Sequence, residues 1–135
     1  MLDQISEGRA VLGLGSSGAN VIEHLHGVPF AAPLRRIRET VEIFDLLIAG
    51  ERLDYAGEIF QLHRGFQLEY ARPRTKIPVW IAAISPSSIN QTGVIADGVI
   101  PIHWPKQKFA SLRAELQAAA EVAGKPNKLF TIAPF

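Results

Sequence analysis

The sequence predicts an α/β fold in which about four parallel strands alternate with helices and carry a small hairpin insertion. Three observations lead there. Three short apolar runs and a fourth, Leu129 to Ala133, broken only by Thr131, fit the strands of a covered parallel sheet, and the stretches between them have helical periodicity. Hydroxyl-rich turns follow the first two apolar runs, where strands would leave the sheet. The 135 residues fit a single domain.

The first run is Ala10-Val11-Leu12-Gly13-Leu14, and it breaks at Gly15-Ser16-Ser17-Gly18. A strand buried on both faces would end in this way. Residues Ala19 to His26 read as a short helix stopped by Gly27-Val28-Pro29. The strongest helix runs from about Pro33 to Ala49: Leu34, Ile37, Val41, Phe44, Leu47 and Ile48 recur at spacings of three and four, and Gly50 stands at the C-terminal cap. Arg52 to Leu62 has apolar residues on both sides of Gly57 and predicts a hairpin excursion outside the main sheet. Pro78 to Ala83 is the second run, and Ile84-Ser85-Pro86-Ser87-Ser88 opens a helix that reaches about Ile95. Gly98 to Ile102 is the third strand. Lys106 to Ala123 is an Ala-, Leu- and Glu-rich helix ended by Gly124-Lys125-Pro126, and Leu129 to Ala133 is the last strand. Alternation of this kind implies right-handed crossovers in a parallel sheet, either doubly wound or part of a barrel.

Composition narrows the function. With 14 Lys and Arg against 13 Asp and Glu, the net charge of +1 supplies no field to attract nucleic acid or anionic lipid. The absence of Cys excludes disulfide frameworks, thiolate metal sites and cysteine nucleophiles, and it suits a reducing compartment. No apolar stretch approaches the roughly eighteen residues of a membrane helix. Met1 to Glu7 also lacks the basic start of a signal peptide. Together these predict a cytoplasmic protein with neither a nucleic-acid nor a membrane partner.

Two turns could carry chemistry. In Gly13-Leu14-Gly15-Ser16-Ser17-Gly18, glycines let the backbone approach a ligand and hydroxyls donate to phosphate oxygens; the same residues also suit a tight turn with close helix packing. The dinucleotide fingerprint is incomplete, because no acidic residue ends a following strand within one compact unit, and the Walker pattern is missing. In the second turn Ser85 is placed as an N-cap with Pro86 at the first helical position, which leaves N–H groups at a positive helix end. A phosphate would sit there, although plain capping explains the same residues. Both turns follow consecutive parallel strands, whose C-terminal ends share the face on which α/β folds bind ligands.

His103-Trp104 follows the third strand and would lie on that face, as a hydrogen-bond donor and a wall for a ring-shaped ligand, or as capping and packing residues. His24 and His26 are splayed and fit no zinc pattern, so no metal is expected. His63 is expected in solvent. Arg38-Glu39 is expected to form structural ion pairs, and spacing identifies no nucleophile, base and acid, so catalytic residues are left unassigned.

Several segments then form an ordered set: Gly8-Arg9-Ala10-Val11-Leu12-Gly13-Leu14-Gly15-Ser16-Ser17-Gly18, His26-Gly27-Val28-Pro29-Phe30, Pro33-Leu34, Arg38-Glu39, Gly50-Glu51, Tyr55-Ala56-Gly57-Glu58-Ile59-Phe60, Ile77-Pro78-Val79-Trp80-Ile81-Ala82-Ala83 and Ala96-Asp97-Gly98-Val99. This set resembles the luciferase-like monooxygenases, in particular the branch of coenzyme F420-dependent oxidoreductases. The resemblance implies a partial (β/α)8 TIM barrel: residues 1–135 form a single partial domain from the middle of the barrel, with this chain's first strand in the place of the family's fourth and its last in that of the seventh. It implies an oxidoreductase that transfers hydride through a bound flavin or deazaflavin, either coenzyme F420 or FMN, held at the C-terminal mouth. Gly15, Ser16 and Ser17 would hold phosphate from the first loop, and Ala83, Ile84, Ser85 and Ser88 from the second.

Two departures bear on the chemistry. Glycine is more frequent at the position of Ser85 in the F420 branch and serine occurs there in bacterial luciferases, so the cofactor stays open between the two. Sugar-phosphate dehydrogenases of the family carry an acidic residue where this chain has Ser16, so their reaction is not implied. The expected partners are a small-molecule cofactor and substrate. Four strands cannot close a barrel. The reading therefore includes a chain that supplies further strands, a self-associating half-barrel, and a non-catalytic fragment that retains only a phosphate-binding corner.

Overall fold

The sheet has the order β1 (Leu12–Leu14), β4 (Val79–Ala82), β5 (Gly98–Ile100), β6 (Thr131–Ile132), with every neighbouring pair parallel. These come from a computed structural model, which describes residues 2–134. Register runs straight across the sheet: Leu14 lies beside Ile81, Ile81 beside Val99, and Val99 beside Ile132. Parallel neighbours need crossovers, and helices supply them. Helix α3 (Pro33–Ala49) lies between β1 and β4, α4 (Pro86–Ile95) between β4 and β5, and α5 (Phe109–Val122) between β5 and β6. This is the α/β arrangement of four parallel strands plus a hairpin that the sequence predicts.

Side chains alternate between the two faces of the sheet. On one face Leu12, Leu14, Val79 and Ile81 pack with Ile37 and Val41 of α3, and Ala83, Val99 and Ile132 pack with Leu112, Leu116 and Phe130. Burying each large aliphatic side chain contributes roughly 1.5–3 kcal/mol, so these two clusters hold the helices to the sheet. The other face carries Gly13, Trp80, Ala82, Gly98 and Ile100. Their shared orientation shows in the glycine surroundings: a Cβ on Gly13 would meet Ile100 Cδ1 at 3.7 Å, and one on Gly98 would collide with the Trp80 indole. Trp80, Ala82 and Ile100 are only half-buried and Val11 is 41% exposed, so the strands are covered on one face rather than on both.

Several boundaries differ from expectation: β1 begins at Leu12 rather than Ala10, β5 ends at Ile100 rather than Ile102, and β6 is only Thr131–Ile132. Helix α2 spans Ala19–His24, and a 3-10 turn at Lys106–Lys108 precedes α5. The hairpin strands are β2 (Leu53–Ala56) and β3 (Gln61–Phe66), an antiparallel pair with a register shift between Leu53 and Tyr55, so the second strand continues past Leu62. The apolar alternation that marks a half-buried strand is lost over His63, Arg64 and Gly65, which hides this extension from a reading by pattern. A short N-terminal helix, α1 (Leu2–Ile5), also precedes the sheet.

The expected ion pair of Glu39 is corrected by the structure. Glu39 is buried, and its carboxylate accepts the backbone N–H groups of Glu58, Ile59 and Phe60 at 2.8–3.2 Å. Three converging amides at a turn make a receptor for an anion, and the chain fills it with its own side chain. Gly57 permits this, because a Cβ there would strike the Glu39 carboxylate. Arg35 pairs with Glu58, and the Tyr55 hydroxyl donates to Glu42, so three successive turns of α3 grip the hairpin. Burial, followed by the bond to Glu42, raises the Tyr55 phenol pKa and keeps it a donor.

Candidate functional site at the C-terminal ends of the strands

Adjacent parallel strands place their C-terminal turns side by side. Because Leu14 is level with Ile81, Gly15 comes beside Ala82, and a Cβ on Gly15 would lie 3.2 Å from the Ala82 Cβ. Glycine therefore lets the first turn lie close against the end of β4 without displacing Ala82. In the first turn Gly15 and Ser17 are exposed and Ser16 is half-buried, with the Ser16 hydroxyl donating to the Ser17 carbonyl at 3.2 Å. Ser17 has φ 55°, a left-handed conformation that ends the run after β1.

The second turn is organised by Ser85 and Ser88. Ser85 is the N-cap of α4, and its Oγ accepts the Ser88 N–H at 3.2 Å. The Ser88 Oγ donates to the Ser85 carbonyl at 2.8 Å and accepts the Ile84 N–H at 3.1 Å. Pro86 has no N–H to offer, so the Ser87 N–H is the group of this first helical turn without a protein acceptor among the described residues. Ile84 is 60% exposed at the rim, whereas the Ala83 side chain is 1% exposed and belongs to the core below. Ala83 thus offers its backbone to this turn.

His103 lies beyond β5, exposed, with φ 55°. Trp104 packs against the cluster of Ala83, Val99, Leu112 and Phe130. The remaining histidines lie elsewhere. His24 and His26 are exposed, and His63 on the hairpin is held between Asp54 at 2.8 Å and Gln61 at 3.0 Å. Among the described residues no group of three or more His, Cys, Asp or Glu could hold a metal ion.

A cavity of about 580 Å³ adjoins the first turn, between α2, the Val28–Pro33 segment and α3. Leu14, Gly15 and Ser16 form one wall, and Arg36 is its one charged lining residue. The sequence reading treats the residues after α2 as a breaker and misses this enclosure. The pairing of Pro29 and Pro33 around apolar residues is the signal that could have found it, since two fixed φ angles stiffen a connecting segment.

The donors at the mouth are neutral hydroxyls and backbone amides, with the N-terminal end of the ten-residue α4 among them. Such donors stabilise an anion by hydrogen bonding and the helix dipole without a cationic partner. The cradle left by Gly15 and the open Ser87 N–H fit a phosphate group.

A model of the luciferase-like monooxygenase family matches residues 1–135, and the chain belongs to that family. It is 33% identical over 129 residues to a 5,10-methylenetetrahydromethanopterin reductase of Archaeoglobus fulgidus, covering 96% of this chain and 38% of the relative. It is 28% identical over 137 residues to an F420-dependent glucose-6-phosphate dehydrogenase of Kineococcus radiotolerans, covering 95% of this chain and 40% of that protein. In structure it superposes on the coenzyme F420-dependent tetrahydromethanopterin reductase of Methanopyrus kandleri with a TM-score of 0.85 at 23% identity, over 99% of this chain and 42% of the other. The four strands and their helices therefore correspond to part of a barrel, and the chain spans about two fifths of the length of these relatives.

Proposed function

We propose that residues 1–135 act as one partial barrel domain of a cytoplasmic oxidoreductase, holding the phosphate of coenzyme F420 or FMN at the C-terminal mouth. The observation that carries this reading is the close packing of Gly15 on Ala82, the last residue of β4, which sets the two hydroxyl-rich turns at neighbouring strand ends. The names of the relatives favour F420. When bound, such a cofactor supplies hydride transfer. The chain's own part is to hold and orient: Ser16, Ser17 and the Ser87 N–H donate to phosphate oxygens, Ser85 and Ser88 fix the start of α4, and His103 lines the rim toward substrate.

Fluorescence titration of the purified chain with F420 and with FMN tests this. Binding is expected for at least one of them, weakened about tenfold when Ser85 and Ser88 are both replaced by Ala, because the loosened start of α4 no longer holds the Ser87 N–H on the phosphate, the equivalent of roughly one charge-assisted hydrogen bond. No binding of either at high micromolar concentration would reject the reading.

A second reading follows from the open edges of β1 and β6 and the half-buried face of Trp80, Ala82 and Ile100. Closing a barrel of this type takes about eight strands. Catalysis would then require strands from a second copy or from another chain, and without them the domain would retain only the phosphate-binding corner.

A further inference from the structure

We infer that Gln91 is a positioning residue for the phosphate-binding corner, because it ties the start of α4, which presents the Ser87 N–H, to the start of α3. This deepens the proposed binding of a cofactor phosphate at the C-terminal mouth and rests on that reading. Gln91 is 8% exposed, and its Nε2 donates to the Leu34 carbonyl at 2.8 Å. The side chain thus acts through the placement of α4 and not by holding phosphate itself. Among the described residues this is the one hydrogen bond between α3 and α4.

The two helices begin differently. Ala32, the N-cap of α3, has no side-chain oxygen to cap with, and its φ of 45° is a left-handed conformation that a non-glycine residue adopts at a cost. The start of α3 therefore gains from a contact outside itself. In α4, Ser85 caps the helix, and the fully buried Thr92 donates through Oγ1 to the Ser88 carbonyl at 2.7 Å. Its first two turns form one stiff piece.

Residues four apart lie on one helix face, so Gln91 stands one turn from Ser87 on the same side of α4. A tie at Gln91 is thereby a tie on Ser87. On its other side α4 lies so near α5 that a Cβ on Gly93 would be 2.6 Å from the Leu116 carbonyl oxygen. Toward α3, Ile95 packs with Ile37 and Val41 at the far end of α4, while the Gln91–Leu34 bond joins the ends nearest the mouth. The corner is braced twice. Gly15 on Ala82 sets the strand ends, and Gln91 on Leu34 sets the helix starts. Loss of the second brace would free the Ser87 N–H relative to Ser16 and Ser17, and a donor that must be ordered on binding gives a weaker complex.

The test is fluorescence titration of the full chain and its variants with FMN and with F420, alongside urea melts. Gln91→Met keeps the length of the side chain and removes the donor, and it is expected to weaken binding about fivefold while the chain stays folded. Gln91→Leu replaces it if the Met variant fails to fold. Ile95→Val loosens the other end of the same helix pair, and it should lower the urea midpoint without changing affinity. The amide NMR signals of Ser87 and Ser88 should shift in Gln91→Met and hold in Ile95→Val. Coupling is reciprocal, so FMN or F420 should also slow hydrogen exchange of the Gln91 side-chain NH₂ in the unaltered chain, a measurement that needs no variant. A purely structural Gln91 would lower the urea midpoint and leave the affinity and the Ser87 signal of the folded variant unchanged, and that result would overturn the inference. Equal weakening by Ile95→Val, or exchange at Gln91 unaffected by a cofactor that binds, would do the same. If the unaltered chain binds neither cofactor, the phosphate reading is rejected and the inference with it, whereas binding that persists undiminished in Gln91→Met rejects the inference alone.

Discussion

Asp3 lies in the N-terminal helix, 6% exposed, and joins segments far apart in sequence. Arg74 donates to its Oδ1 at 2.7 Å and also bonds the Ala10 carbonyl, while the Ala10 N–H donates back to Asp3 at 3.3 Å. The hydrogen bond from Arg74 holds the Asp3 carboxyl below the usual aspartate range against the opposing effect of burial, and the Arg74 charge and the Ala10 N–H add to it. A carboxyl with a depressed folded-state pKa contributes stability that is complete above the unfolded value, about 3.9, and is lost as pH falls through the folded value. Asp3→Asn should therefore lower the urea midpoint at pH 7 and flatten the fall in stability below about pH 4, as followed by urea melts across a pH series. None of this is legible in sequence, because the partners are 71 residues apart and neither sits in a recognisable pattern. The serines of the mouth are legible for the opposite reason: capping is local, and Ser85, Pro86 and Ser88 write it within four positions.

The hairpin shows how an element outside the sheet is kept in place by a few polar contacts. Its two strands pair with each other and not with β1 or β4, and a two-stranded unit is marginal in water by itself. The Glu39 carboxylate on the Glu58–Phe60 amides replaces the missing sheet partner. Glu39→Gln keeps the shape but turns an amide N–H₂ toward donors, so a loss of about 2 kcal/mol is expected. Hydrogen exchange at the amides of residues 58, 59 and 60 should rise in step, while α5 keeps its protection. The long helices were readable from their periodicity and caps, as Pro33 and Gly50 at the two ends of α3 show. The role of Glu39 was not. Adjacent to Arg38 it looks like half of a surface pair, and only the tertiary fold brings the turn at Gly57 over it.

At the scale of the molecule, β1 and β6 each leave a row of backbone groups outside the sheet's own pairing, and the face opposite the helices is apolar and half-covered. Exposed edges of this kind favour further strand pairing. Light scattering over a concentration series is expected to show association of the purified chain, and a constant monomeric mass would exclude the self-associating half-barrel. The parallel sheet was legible because βαβ alternation leaves few alternatives, while the exposure of one face was hidden because the strands are written as if buried on both. The contact between Trp80 and Gly98 gives this architecture a built-in optical reporter. The Trp80 indole lies on the uncovered face and Trp104 packs on the helix-covered core, so the two rings sample different surroundings in one emission spectrum. Covering the open face would dry the Trp80 environment and shift its emission to the blue while Trp104 stayed constant, and a Trp104→Phe variant would isolate that signal.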